Sequence, residues 1–439
     1  MYAKFSKMKK NIYLCSAKIS NKNNMRMNTV IIKALAIAAR LLLGATFIFS
    51  GFVKAIDPWG STYKFTDYLT AFDMTWMHSA AFMFALLQNA AELVIGVALV
   101  LGLRMKETAW GTAIFMVFFT ILTFFIALTN PVTDCGCFGD ALILTNWETF
   151  FKNILLMFPT ALVFLYRKKY RPAYKPVVEW GWVAAITILS IGISINCYRH
   201  LPWIDFRPYH IGADIPNGMI VPEGMPTDEY NTTLLYEKDG VVKEFTLEDY
   251  PWDDTTWVWK DTKTVLVKEG FRPLVNDFSI TTLNDWDITD EVLSYEGYTF
   301  LLVANQLNKS NKQALIQAAE IARHSDENGH RFYCLTASPT REIEQLKAEL
   351  GLQYEFCTTT ETTLKTIIRA NPGLVLLQNG TVIGKWHYND MPNVNELKPN
   401  LLSFAVKHQA DLSKKRLNRG LFLAFVFFTF IFFHFRIEK

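Results

Sequence analysis

The residues most able to do chemistry lie in one short stretch, Asp134-Cys135-Gly136-Cys137-Phe138-Gly139-Asp140. Two cysteines flanking a glycine can be drawn together, because glycine permits a tight bend. A disulfide across so few bonds closes a small, strained ring, and strain suits exchange better than stapling. Asp134 and Asp140 oppose the thiolate form that exchange needs, so activation calls for a cation, and Lys152 is one candidate. Cys197 is a candidate third thiol that would resolve a mixed disulfide. No metal is expected here: two thiolates do not complete the coordination of zinc, and no histidine adjoins them. The plain structural alternative is an inert cysteine pair in a glycine turn.

The surroundings of this loop are set by long apolar runs. Half of the chain is hydrophobic, and the apolar residues are bunched at 31–53, 80–103, 110–128, 150–166, 180–196 and 421–435. A spanning helix takes roughly 17–25 mostly apolar residues, so about six spans are expected, the first three secure by length. The net charge of +3 carries no signature of nucleic-acid binding. Its distribution follows the positive-inside pattern. Lys4, Lys7, Lys9, Lys10, Lys18, Lys22 and Arg26 precede the first span, and Arg104 and Lys106 follow the second. Arg167, Lys168, Lys169, Arg171 and Lys175 follow the fourth, whereas 130–149 holds no Lys or Arg. This places the N-terminus in the cytoplasm, and the cysteine loop and everything after the fifth span outside. Lys414, Lys415, Arg416 and Arg419, before the last run, depart from the pattern.

The expected division is a cytoplasmic tail (1–28), a transmembrane bundle of about five spans (29–199), a β-rich linker segment (200–296), an α/β domain (297–410) and a C-terminal transmembrane helix (420–436). Within the bundle, Arg40 and Glu92 are mid-span on helices running in opposite directions. Counted from 31 and 103 at 1.5 Å per residue they reach similar depth, and a lone charge there costs several kcal/mol. An Arg40–Glu92 ion pair is therefore predicted, either as a staple or as a proton or quinone-headgroup site.

Beyond the bundle, 233–236 and 241–245 flank Lys238-Asp239-Gly240, a hairpin signature, and 257–267 reads as a further strand pair. Trp252, Trp257 and Trp259 are expected to be core or membrane-interface residues, with a recognition face as the alternative. From 297 onward strands and helices alternate, ending in a hairpin at Asn379-Gly380, which gives an α/β domain with a mixed sheet.

Two resemblances follow from these residues. The element order, Asn371-Pro372 before an apolar strand, the Asn379-Gly380 hairpin and Gly384–Trp386 resemble the thioredoxin fold, especially its membrane-tethered periplasmic relatives. The resemblance implies that Pro372 is the cis-proline facing the redox site. It departs at Asn305–Asn311, where the family carries Cys-x-x-Cys and this chain has no cysteine. Cys334 and Cys357 lie within strands, as small buried hydrophobes. The domain thus reads as a degenerate thioredoxin-like module for binding or docking. Ser50-Gly51-Phe52-Val53-Lys54, Asp57-Pro58, Arg40, Glu92 and the Cys-Gly-Cys-Phe-Gly loop resemble the DoxX-like membrane proteins, and within them the MauE type, over 31–166. That resemblance implies support of disulfide formation alongside a thioredoxin-like partner.

The expected function is thiol–disulfide or electron transfer through Cys135 and Cys137 at the outer face of a bacterial cytoplasmic membrane, with a periplasmic or membrane redox or envelope protein as partner and a quinone as candidate cofactor. The competing reading is a non-catalytic membrane scaffold with an envelope-facing interaction domain.

Overall fold

The computed structural model describes residues 30–132, 134–170, 172, 174–226, 229–238, 240–246, 249–254, 256–268, 270–397, 400–415, 417–418 and 420. The basic tail at 1–28 and the apolar run at 421–435 lie outside the described residues. Two compact units emerge. The first holds the described residues to Arg207 together with Ile368–Gly373 and those from Trp386 onward; the second holds Pro208–Ile367 and Leu374–Lys385.

The first unit is built on five helices long and apolar enough to cross a membrane: α1 (Val30–Ile56), α3 (Ala81–Leu101, entered through a 3-10 turn at Thr75–Ala80), α4 (Met105–Thr129), α5 (Asn146–Tyr166) and α6 (Pro176–Arg199). Between α1 and α3 lies α2 (Pro58–Ala71), which sequence reading missed. Its start was nevertheless written in the chain. Asp57 caps it by accepting from the Gly60 N–H, and Pro58 takes the first position, where its missing N–H costs nothing. At the head of α5, Thr145 and Glu148 form a reciprocal capping box.

Small residues set how α1 meets α3. A Cβ on Gly96 would come within 2.5 Å of the Ile48 backbone nitrogen, one on Gly51 within 2.6 Å of the Leu93 nitrogen, and one on Gly44 within 2.6 Å of the Val100 side chain. Backbones packed this closely fix an antiparallel register, since small residues are what allow such approach. The register corrects the predicted ion pair. Glu92 is brought level with the C-terminal end of α1, and it pairs with Lys54 at 2.7 Å. Arg40 lies far from that level. It packs beside Gly102 and over the Tyr170 ring at 5.4 Å, and its Nε has no hydrogen-bond partner among the described residues. Counting depth from 31 failed because a helix's apolar start does not say where its small-residue seam will lock.

The second unit carries a six-stranded sheet in the order β4-β7-β6-β5-β8-β9, with β4 (Thr281–Thr282), β5 (Tyr298–Ala304), β6 (Arg331–Thr336), β7 (Glu355–Thr358), β8 (Gly373–Gln378) and β9 (Thr381–His387). β5, β6 and β7 are parallel neighbours, and β4 runs antiparallel to β7. Helices α7 (Lys312–Glu327), α8 (Thr340–Leu350) and α9 (Glu361–Ile367) connect them. Asn379 and Gly380 both take positive φ, as a two-residue hairpin requires. With the cis Asn371-Pro372 bond before β8, this is a thioredoxin-like fold. A separate three-stranded antiparallel sheet, β2-β1-β3, is formed by β1 (Glu229–Lys238), β2 (Val241–Thr246) and β3 (Val258–Lys268). β3 is one continuous strand where a strand pair was predicted. Trp252 and Trp259 are exposed, while Trp257 packs edge-on against Phe245 at 5.1 Å.

If the glycine seam sets the register, Gly96→Leu must force α1 and α3 apart. It is expected to lower stability by about 1–3 kcal/mol or more in denaturation of the detergent-solubilised protein. Gly111→Leu, whose nearest neighbour atom would be 3.9 Å away, is expected to change little.

Candidate functional site at the cysteine loop

Cys135 and Cys137 are joined as a disulfide with their Cα atoms 5.5 Å apart. Gly136 between them has φ +62°, and a Cβ there would meet the Lys64 side chain at 2.9 Å. Glycine thus meets two demands: a left-handed backbone and no side chain against α2. The loop is held on several sides. Asp134 accepts from the Gly136 N–H at 2.9 Å and from Lys64 Nζ at 2.7 Å. The Tyr68 hydroxyl donates to the Cys135 carbonyl at 2.7 Å, and the Ser50 hydroxyl to the Cys137 carbonyl at 2.7 Å. Burial, with help from the negative Asp134 and Asp67, pushes the Tyr68 phenol well above its ordinary value, so it stays a neutral donor.

Ser50 links the loop to the buried charges. It lies 2.5 Å from Glu92 Oε2, while Lys54 and Gln88 donate to Glu92 Oε1 at 2.7 and 2.8 Å. Lys54 also donates to Ser50 Oγ at 3.2 Å. Lys54 and Glu92 are both buried, and such a pair is tolerable only when each member keeps its partner and its remaining lone pairs are satisfied. Lys54 follows the apolar run at 31–53, and from the sequence it entered only as part of the DoxX-like motif. Its spacing of four from Ser50 was the available signal that both side chains face one way.

The last clamp comes from Arg369, in the segment just before the cis-proline. Its Nε donates to both Asp57 oxygens at 3.0–3.1 Å and its Nη2 to Asp140 at 2.6 Å, with the guanidinium 5.4 Å from the Tyr63 ring centre. Burial works against the charge, but Asp57 and Asp140 outweigh it and hold the guanidinium firmly protonated. The two aspartates expected to hinder thiolate formation are therefore each matched by a cation, Lys64 for Asp134 and Arg369 for Asp140. Neither cation was legible from the sequence, since Arg369 lies 229 residues beyond Asp140. Lys152, the expected activator, instead sets its ammonium 4.3 Å from the centre of the Phe138 ring.

The remaining cysteines stand apart. Cys197 is fully buried in an apolar cluster with Ala55, Ile56 and Ile193; a resolving thiol must be reached by solvent or partner, which that packing prevents. Cys334 and Cys357 are buried in β6 and β7, and burial pushes both thiols up, Cys357 to about 12. Where a thioredoxin carries its cysteine pair, this chain places a 3-10 turn at Leu307–Lys309 with Leu307 buried beneath it. Among the described residues no group of histidine, cysteine and carboxylate side chains could hold a metal.

Comparison with known proteins agrees with the bundle's character. Residues 32–167 match the family described as methylamine utilisation protein MauE. Residues 230–269, spanning the three-stranded sheet, match a domain of unknown function, DUF8463. No curated protein matches the chain. Among solved structures, a solution structure described as a candidate protein disulfide isomerase from Bacteroides thetaiotaomicron aligns at 13% identity and a TM-score of 0.23, covering 32% of this chain and 82% of that one. A likeness that weak adds nothing to the strand order and the cis-proline described above. The helices and the MauE match define a membrane protein with a thioredoxin-like domain.

Two outcomes test the electrostatics. Lys54→Met strands Glu92 in the bundle and is expected to cost about 3–5 kcal/mol, while Lys54→Met with Glu92→Leu recovers most of it; denaturation of the three proteins in one detergent measures this. Arg369→Gln leaves the Asp57 and Asp140 carboxylates without their guanidinium. Alkylation of the reduced cysteine pair at neutral pH is expected to slow several-fold, and Arg369→Lys to restore part of the rate.

Proposed function

We propose that this protein carries out thiol–disulfide or electron transfer through Cys135 and Cys137 at the outer face of a bacterial cytoplasmic membrane. The thioredoxin-like domain, having no cysteine at its own redox position, serves to dock the partner, a periplasmic or membrane redox or envelope protein. In the exchange step a partner thiolate attacks one sulfur of the Cys135–Cys137 bond. The other sulfur leaves as a thiolate and takes up a proton. A second partner thiol then resolves the mixed disulfide, leaving the partner oxidised and the loop reduced.

The observation that carries this reading is the setting of the disulfide. It forms part of a cavity wall, its backbone carbonyls are tied to Ser50 and Tyr68, and its flanking carboxylates are neutralised. A purely structural staple needs no matched charges and no cavity. The resemblance to DoxX-like proteins and the MauE match over 32–167 point the same way. Nothing in the site selects methylamine.

Thiol trapping of the full-length protein in membranes, across a glutathione redox series, tests it. A reversible couple for Cys135 and Cys137, roughly between −120 and −270 mV, is the expected result. A pair that stays locked in one state at every poise would sink the redox role and leave the non-catalytic scaffold.

A further inference from the structure

A cavity of about 430 Å³ opens beside the disulfide, within the range of roughly 300–1,000 Å³ typical of small-molecule sites. Its walls come from α1, α2, α3, α4, α5 and the cysteine loop. Most of the lining is apolar and strongly aromatic, including Phe47, Phe65, Phe84, Phe115 and Phe119. Within its polar lining, Ser50, Lys54, Gln88 and Glu92 form one patch, bonded to one another and, through Ser50, to the Cys137 backbone.

Two polar features of the lining are incomplete. The Lys152 ammonium lines the cavity 4.3 Å from the centre of the Phe138 ring and makes no hydrogen bond or ion pair among the described residues. A cation on an apolar wall gains most from an acceptor oxygen brought in by a ligand. The Ser50 hydroxyl, with one hydrogen, faces two acceptors, Glu92 and the Cys137 carbonyl. A second proton in this network, on Glu92, would let both contacts form at once.

We propose that the cavity binds the head group of a lipid-soluble quinone, and that this quinone accepts the electrons of the Cys135–Cys137 thiol pair. The inference rests on the redox reading above and supplies the acceptor that reading lacks. A planar ring suits the aromatic walls. One carbonyl oxygen accepts from Lys152, which also stabilises negative charge developing there on reduction. In the reaction two thiols lose two electrons and two protons, the sulfur–sulfur bond forms, and the two carbonyl oxygens become the hydroxyls of the quinol. The Ser50–Glu92 pair lies where a thiol proton can be relayed. An acyl chain would fill the same walls but would leave Lys152 without an acceptor.

Decylubiquinone and full-length protein in detergent micelles test this. Saturable binding is measured on the Cys135→Ser/Cys137→Ser variant, so that it does not depend on redox chemistry. Lys152→Met is expected to weaken binding about tenfold and Lys152→Arg to restore part of it. Met116→Trp, which fills the cavity, is expected to abolish binding even if Lys152→Met disturbs folding. Pre-reduced wild-type protein should yield one quinol for each disulfide formed. Absence of saturable binding, or binding indifferent to both Lys152→Met and Met116→Trp, overturns the quinone site while leaving any glutathione couple, and the redox function, standing. Quinone bound as expected with neither quinol nor a glutathione couple overturns the electron transfer itself.

Discussion

Moving a carboxylate from water into a bundle of hydrocarbon side chains costs several kcal/mol unless a cation and hydrogen-bond donors go with it. Glu92 makes that demand here, and much of the first unit answers it. Lys54 supplies the cation, Gln88 a donor one turn away on the same helix, and Ser50 a hydroxyl that also reaches the cysteine loop. These partners meet because Gly44, Gly51 and Gly96 let α1 and α3 approach backbone to backbone at one register. A shift of a single residue along α1 would turn Lys54 away by about 100° of helix rotation. The close packing and the buried charge therefore specify one another.

The same logic extends to the loop. The Cys135 and Cys137 carbonyls and both flanking aspartates each have a partner on α1, on α2 or at Arg369. The half-exposed cysteine pair inside this frame lines the cavity. For the exchange proposed above, a fixed frame around half-exposed sulfurs would mean little reorganisation during reaction.

Much of this was legible in the chain. The first five apolar runs, the hairpin at Asn379-Gly380 and the proline before β8 all express local rules, and each appears where the residues place it. The cysteine loop announced itself because its residue types are rare side by side. What was not legible depended on register or on distance along the chain. Glu92 was recognised as needing a cation, but depth counting chose Arg40, because only the packed glycines reveal that Lys54 is level with it. α2 was missed although Asp57 and Pro58 signalled its start, since its sequence mixes polar and apolar residues without a clear stripe. Arg369 was out of reach altogether, because its partners lie 229 and 312 residues earlier.

That separation has a consequence for how the protein comes into being. Chains emerge from the ribosome at about 5–20 residues per second, so the 229 residues between Asp140 and Arg369 represent roughly 10–50 s of synthesis. Until then Asp57 and Asp140 lack the Arg369 guanidinium, and uncompensated carboxylates beside a thiol disfavour its thiolate form. The charge balance around the loop is therefore completed only once the segment just before the cis-proline has been made.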